Sequence, residues 1–202
     1  MIKKALAFTL AEVLITMSIV GVVAALTIPT LHYQKTKKEY STKLKNFFSK
    51  MDNAVLEMQV EKGSFRDMKK PTEATKIAWY MDNIDPYMGH DYVKGKRVYF
   101  KDGSYFSIDN IGGCQDMVYD VNGEKKPNST GKDQFRFLYC FDDNNRIQWF
   151  GNAEVFFGTY GSGMHSMSRP EMISKCRSNK HYCSKLLQND LWEFKDDYPI
   201  KF

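Results

Sequence analysis

An apolar run near the start of the chain contains a single carboxylate. The run extends from Phe8 to Ile28, and Glu12 is its only charged residue. About 20 apolar residues cross a bilayer as a helix, and a charged side chain inside such a helix usually has a partner. Cleavage between Ala7 and Phe8 would leave a free amine close in sequence to Glu12. These residues therefore predict an ion pair between the amine of one copy and the carboxylate of another.

Simpler explanations of this segment remain open. Glu12 would also reach the headgroups near the start of an ordinary signal anchor. Pro29 would also break a helix at the membrane edge. Lys3 and Lys4 favour a cytoplasmic N-terminus, whereas three lysines shortly after Leu31 oppose it, so charge alone does not decide the orientation.

A second set of residues with suitable chemistry lies in one loop of the C-terminal region. Its candidate oxygen ligands are Asp120, Asn122, Asn128 and Asp133, with a backbone carbonyl near Glu124. Ca²⁺ takes roughly six to eight oxygen ligands and accepts irregular loops, so this spacing predicts a candidate calcium site, although the closing glutamate of an EF-hand is missing. The competing interpretation, which the sequence favours, is a tight structural loop whose Asp and Asn side chains bind backbone amides.

The chain contains four cysteines, which are Cys114, Cys140, Cys176 and Cys183. Three disulfide connectivities are available to them. We favour Cys176 with Cys183 because they enclose a short loop, and the other two then lie in or beside neighbouring predicted strands. The alternatives are a zinc site that combines Cys176 and Cys183 with His165 and His181, whose spacing fits no common zinc pattern, and free buried thiols.

No residue pattern in the sequence indicates catalysis. The segment from Gly161 to His165 lacks the Gly-x-Ser-x-Gly spacing and the strand-to-helix context of a nucleophile elbow. The formal net charge of +5 over 202 residues is weakly basic and does not by itself indicate a nucleic-acid partner. We therefore expect neither an enzyme nor a nucleic-acid-binding protein.

The elements that position these residues begin with a long helix. After Pro29, apolar residues recur at three-, four- or seven-residue steps, at Tyr33, Tyr40, Leu44, Phe47, Met51, Val55 and Met58. This stripe predicts an amphipathic helix that packs beneath a soluble domain. Gly63 is a suitable C-terminal cap for it.

The rest of the chain favours an antiparallel sheet. The period changes to two from Arg97, and Asp102-Gly103 predicts a hairpin turn. Further strands are predicted from Asp116 to Val121, from Gln134 to Phe141 and from Arg146 to Phe150. Short helices are predicted from Pro71 to Ile84 and from Tyr182 to Leu191. The segment from Gly158 to Ser168 is predicted to be a mobile surface loop.

A helix followed by strands predicts an α+β fold, with a long N-terminal α-helix packed on an antiparallel β-sheet head. The first half of the helix would span the membrane, and the second half is amphipathic. The predicted segments are a leader at 1–7, a transmembrane and assembly helix at 8–31, an amphipathic helix at 32–63 and a globular extracytoplasmic head at 64–202.

The N-terminal motif resembles the class III signal of type IV pilins and type II secretion pseudopilins. The resemblance rests on Ala7, Phe8, Thr9, Leu10, Glu12, the apolar helix and Pro29. It implies that a prepilin peptidase cuts after Ala7, that the Phe8 amine is N-methylated, and that Glu12 and Pro29 serve assembly. The family prefers glycine at the position of Ala7, which is a departure in this chain.

The resemblance also implies a pilin-like head and a structural, non-enzymatic role in a type IV pilus or type II secretion pseudopilus. The implied partners are copies of the chain, other pilins or pseudopilins, the peptidase, the inner-membrane assembly platform and membrane lipid. The implied location is the bacterial inner membrane, with a single span and the head in the periplasm or outside the cell. Some major pseudopilins hold calcium near the corresponding part of the head. The alternatives are a signal-anchored extracytoplasmic binding protein or enzyme, and a DNA-uptake minor pilin.

Overall fold

A computed structural model describes residues 9–202, without the side chains of residues 110 and 111. Residues 1–8 carry the predicted leader and the predicted cleavage between Ala7 and Phe8, so those predictions lie outside the described residues. The described chain forms six α-helices, short 3-10 turns and one six-stranded sheet.

The long helix α1 extends over Leu10–Lys62, which is 53 residues and about 80 Å at 1.5 Å per residue. Thr9 caps its N-terminus. At the other end Gly63 has φ 94°, and its N–H donates to the Gln59 carbonyl. Pro29 lies inside α1, so the helix continues through the proline rather than breaking there.

The remaining helices are shorter. They are α2 (Lys76–Asn83), α3 (Asp85–Met88), α4 (Asp143–Phe150), α5 (Arg169–Ser178) and α6 (Cys183–Asn189). The strands are β1 (Tyr92–Lys94), β2 (Arg97–Tyr99), β3 (Tyr105–Ile111), β4 (Cys114–Asp120), β5 (Gln134–Cys140) and β6 (Phe157–Thr159). They form an antiparallel sheet in the order β1-β2-β3-β4-β5-β6.

The second half of α1 covers one face of this sheet, which we call the inner face. Phe47 is the centre of the contact. Its ring stacks on Tyr119 with centroids 4.0 Å apart and lies 5.2 Å from Phe137 and 6.0 Å from Phe106. These side chains are buried and belong to one core that also contains Leu44. The predicted α+β fold, with a long helix on an antiparallel sheet, is therefore confirmed.

The strand predicted from Arg146 to Phe150 is wrong, because this segment is the helix α4. Asp142 is its N-cap and accepts a hydrogen bond from the Asn145 N–H at 2.9 Å. Gly151 ends it in the left-handed region at φ 76°. The polar run from Asp142 to Asn145, whose composition favours a turn between two strands, is therefore a helix start. Arg146 is fully buried and donates to the carbonyls of Cys140 and Phe141.

Other predicted segments need smaller corrections. The predicted loop from Gly158 to Ser168 contains the end of β6 and a 3-10 turn at Met164–Ser166. The helix predicted from Pro71 to Ile84 is shorter in the structure, where α2 begins at Lys76. Helix α5 was not predicted, although Ser168 and Glu171 form a capping box that is visible in the sequence.

The cysteines form two disulfides, Cys114–Cys140 and Cys176–Cys183, which is the predicted pairing. The first joins directly opposed residues of β4 and β5. The second joins α5 to the first residue of α6. Since all four sulfurs are used, the zinc site and the free thiols are both wrong.

Candidate functional site

The first half of α1 presents an apolar surface that no described residue covers. Leu10 is 78% exposed and Leu26 is 72% exposed, whereas Leu44 in the second half is fully buried. Among the described residues, α1 is the one helix long and apolar enough to cross a membrane. The apolar segment is therefore free for lipid or for other helices.

The carboxylate of Glu12 lies in the first turn of α1, where it forms a capping box with Thr9. Its Oε2 accepts hydrogen bonds from the backbone N–H and the hydroxyl of Thr9, both at 2.8 Å. The Thr9 hydroxyl in turn accepts from the Glu12 N–H at 3.2 Å. This reciprocal pair satisfies free N–H groups at the helix start, and a negative charge is favourable there. The carboxylate is consequently held beside the point where the chain enters the helix.

The second half of α1 holds the head through polar contacts as well as through the core. Lys43 Nζ donates to the carbonyls of Asp102 and Val121, both at 3.0 Å. The amide Nδ2 of Asn122 donates to the Tyr40 hydroxyl at 3.0 Å. These contacts attach the β2–β3 turn and the loop after β4 to the helix.

The predicted calcium ligands lie in that loop, and the carboxylate oxygens among them already have partners, whereas Asn122 Oδ1 is buried without one among the described residues. Each Asp133 oxygen accepts a backbone N–H, from Asn128 at 2.8 Å and from Ser129 at 2.5 Å. Asp120 accepts from the Asn122 N–H at 3.2 Å and from the Gln134 side-chain amide at 3.0 Å. All four carboxylate oxygens thus bind N–H groups.

These contacts match the tight structural loop rather than a cation site. Asp120 and Asp133 are both fully buried. Burial and the nearby Asp133 charge raise the pKa of Asp120 to about 6, while the hydrogen bond from Gln134 opposes this shift. No group of three or more His, Cys, Asp or Glu side chains suited to a metal occurs within residues 9–202.

The sequence did not reveal a cavity on the face of the sheet opposite α1, which we call the outer face. Its volume is about 560 Å³. Four cations and two carboxylates line it, together with hydroxyl and amide groups: Lys94, Lys96, Arg97, Arg136, Asp109, Glu124, Ser107, Gln134 and Thr130. The signal was weak because three of the cations lie together from Lys94 to Arg97, and only the sheet register brings Arg136 to the same face.

The described residues define an α+β protein that combines one exposed apolar N-terminal helix with a head containing two disulfides. Residues 30–202 match the model of a family described as a family of unknown function (DUF6613). The chain belongs to this family. The match begins directly after Pro29 and covers the second half of α1 and the head. No curated protein and no solved structure matches the chain.

Proposed function

We propose that this protein is a structural subunit of a type IV pilus or type II secretion pseudopilus, assembled through its N-terminal helix. The observation that carries the proposal is the exposed apolar half of α1 with Glu12 as its only charge. A tether alone explains the apolar surface and leaves the Glu12 carboxylate with a role only as a helix cap. The resemblance of the N-terminal motif to prepilin signals supplies a role for that carboxylate.

The head is compatible with a location outside the cytoplasm. Its four cysteines form two disulfides, and disulfides persist in oxidising compartments such as the bacterial periplasm. The head is fixed to the second half of α1 by a continuous core. Helix and head would therefore move together when the subunit leaves the membrane.

The assembly step follows from the charges at the start of the helix. A prepilin peptidase would cut after Ala7, and the new Phe8 amine would be methylated. In the bilayer, an unpaired carboxylate is costly. In a filament, the Glu12 carboxylate of one copy would pair with the Phe8 amine of a neighbour, while the apolar helices pack against one another in place of lipid.

The test separates the charge of Glu12 from its role as a helix cap. In Glu12→Gln the side chain can still accept the capping hydrogen bond but carries no charge, whereas Thr9→Ala removes the capping hydroxyl and keeps the charge. We expect Glu12→Gln to insert into the membrane normally but to enter filaments poorly, and Thr9→Ala to assemble better than Glu12→Gln. The measurement is the amount of subunit in sheared filaments relative to membranes.

Glu39→Ala is the control, because Glu39 is a half-exposed carboxylate on the same helix whose one ion pair among residues 9–202 is with Lys43 at 3.5 Å. This variant should assemble normally. Normal incorporation of Glu12→Gln would contradict the assembly role of the charge and would favour the tethered binding protein.

A further inference from the structure

The part of α1 that follows the apolar run carries three lysines that the proposed function leaves unexplained, which are Lys35, Lys37 and Lys38. Lysines beside a membrane span are normally more frequent on the cytoplasmic side, whereas the proposed location places this flank outside the cytoplasm. The three charges therefore oppose the proposed orientation of the helix. A role for them on the side of the membrane that carries the head would account for their presence.

Lys37 is the most buried of the three, and its residue surface is only 9% exposed. Its Nζ lies 4.5 Å from the centroid of the Tyr33 ring and 5.9 Å from the centroid of the Phe202 ring. Solvent still reaches this Nζ, so the burial falls on the aliphatic stem of the side chain. The ammonium group is thus held between two aromatic rings and stays accessible.

A second ammonium group lies on the same Phe202 ring. Lys132, which is partly exposed in the loop between β4 and β5, places its Nζ 5.9 Å from the ring centroid. The two nitrogen atoms are therefore no more than twice this distance apart. Contact with an aromatic ring favours a positive charge but does not neutralise it. Two positive charges are consequently concentrated at one point of the surface.

The carboxylates next to these two lysines in the sequence have other partners. Glu39 forms an ion pair with Lys43 at 3.5 Å, and each carboxylate oxygen of Asp133 accepts a backbone N–H. Neither Lys37 nor Lys132 forms an ion pair among residues 9–202. An anionic group from outside the chain would be attracted by both ammonium groups.

The position of Lys37 along α1 places its ammonium group beside lipid headgroups. Tyr33 follows the predicted membrane segment, which ends at residue 31, by two residues or about 3 Å. Side chains of a helix lean toward its N-terminus, and the contact with Tyr33 shows that Lys37 reaches back by one turn. The headgroup layer of a bilayer is about 5–7 Å thick. A helix that spans a bilayer up to residue 31 therefore holds this ammonium group within that layer.

The surrounding surface carries more positive than negative charge. Lys35, Lys38 and Lys201 are exposed, and none of them forms an ion pair or a side-chain hydrogen bond among residues 9–202. Of the two carboxylates in the adjoining cavity, Asp197 is held by an arginine of α5 and Asp196 is exposed. This end of the head is therefore complementary to an anionic surface.

We propose that the end of the head around Tyr33 and Phe202 docks on the anionic phospholipid headgroups of the bilayer that α1 spans. Lys37 and Lys132 bind a lipid phosphate together, and the exposed lysines around them add attraction to the membrane surface. A lipid is favoured over a nucleic acid because α1 holds the site at the membrane. The inference rests on α1 crossing a bilayer, which a filament subunit and a tethered protein share, and it does not depend on filament assembly.

The test measures lipid binding to the full-length protein in nonionic detergent micelles by native mass spectrometry. Short-chain phosphatidylglycerol is the anionic probe. Phosphatidylcholine with the same acyl chains is the matched ligand, because it keeps the phosphate and cancels its charge. We expect phosphatidylglycerol to bind at least about fivefold more tightly, since one lysine near anionic lipid contributes roughly this factor. Equal binding of the two lipids, or binding of neither, would overturn the proposal.

The variants locate the site. Lys37→Gln and Lys132→Gln each remove one ammonium group and should each weaken phosphatidylglycerol binding about fivefold, with phosphatidylcholine binding unchanged. Lys37→Arg keeps the charge and should bind like the unaltered chain. Lys50→Gln is the matched control, because Lys50 is an exposed lysine on the same helix about 20 Å farther from the membrane. Lys132→Gln provides the result if Lys37→Gln fails to fold.

A lipid preference that survives in both Lys37→Gln and Lys132→Gln, or that is lost in Lys50→Gln, would contradict the assigned site. Displacement of the lipid by an equal concentration of inorganic phosphate would assign the site to a free anion. Displacement by a single-stranded oligothymidylate would assign it to a nucleic acid, and either displacement would overturn the proposal. None of these results affects the Glu12 test, because filament incorporation is measured separately.

Discussion

Both halves of helix α1 carry apolar side chains, but the two halves use them differently. In the first half the apolar side chains are exposed all along the segment, and Leu26 is 72% exposed. In the second half they form one stripe, and Leu44, Phe47 and Met51 are buried against the sheet. The same covalent helix therefore has one half that depends on its surroundings and one half that belongs to a folded domain.

This difference shows why apolar content alone does not identify a core. The second half alternates its apolar stripe with lysines, and such a pattern needs only one packed face. The first half is apolar all round, which is typical of a helix surrounded by lipid or by other helices. Substitutions in the two halves should consequently change different measurements.

The largest effect is expected for Phe47→Ala. The variant removes a ring that contacts Tyr119, Phe106 and Phe137, so the free energy of unfolding of the head should fall by about 3–5 kcal/mol. Leu26→Ala, the matched truncation in the exposed half, should change it by less than about 0.5 kcal/mol. Denaturant unfolding followed by tryptophan fluorescence in detergent measures both. Equal losses would mean that the first half is part of the head's core.

Both disulfides lie in the head, so their removal should affect the head and leave the first half of α1 unchanged. In the chain-entropy model, replacing both Cys114 and Cys140 with alanine should lower the free energy of unfolding by about 3.5 kcal/mol, since their sequence separation is 26. The same change at Cys176 and Cys183, with a separation of 7, should cost about 2.5 kcal/mol. Membrane insertion of α1 should be unchanged in both variants. A loss of insertion would mean that the first half of α1 depends on the fold of the head.

The loop that contacts Tyr40 should make the head sensitive to pH. Burial and the Asp133 charge raise the pKa of Asp120 to about 6, so between its usual value near 4 and this value the folded protein binds more protons than the unfolded chain. Stability contributed by protonated Asp120 is therefore present at low pH and is lost as the pH rises through about 6. We expect the free energy of unfolding to fall by about 1–3 kcal/mol as the pH rises from about 4 to about 7, and Asp120→Asn to remove this pH dependence.

The response of the protein to calcium tests the same loop. Because the four oxygens of Asp120 and Asp133 already bind N–H groups, millimolar Ca²⁺ should leave the Tm of the unaltered chain where it is in EDTA. A Tm that rises with Ca²⁺, and that no longer rises in Asp120→Asn, would instead establish the cation site.

The smallest effect is expected at Leu191. Its backbone is in the left-handed region at φ 57°, and its side chain is 77% exposed, so little packing would be lost on substitution. Leu191→Asn should raise the free energy of unfolding by about 0.5–1 kcal/mol, because asparagine tolerates this conformation better. The control is Leu56→Asn, an exposed leucine in α1 with helical geometry, which should give no gain.

The periodicity of the sequence predicted the parts of the fold that a regular pattern controls. The stripe from Tyr40 to Met58 predicted the packed half of α1, and the alternation around the Asp102-Gly103 turn predicted the pairing of β2 with β3. The prediction for the segment from Asp142 to Phe150 was wrong because a short Asp- and Asn-rich run suits a turn and a helix N-cap equally well. The tertiary contacts of buried Arg146 accompany the helical conformation, and these are not visible in the sequence.

The candidate sites also differ in whether a sequence pattern predicts them. Glu12 was visible because a charge stands out in an apolar run, whereas the outer-face cavity was not, because Lys94, Arg136 and His181 come from three distant segments. Only the sheet register and the disulfide at Cys183 bring them together. A single-sequence pattern has no access to such long-range placement.

The most direct test of the proposed function is the intact mass and N-terminal sequence of the protein isolated from its own membranes, compared with a strain that lacks the candidate prepilin peptidase. Filament assembly predicts a chain that starts at methylated Phe8 and an uncut chain in the peptidase-deficient strain. A chain that starts at Met1 in both strains would contradict it and leave α1 as a simple membrane tether.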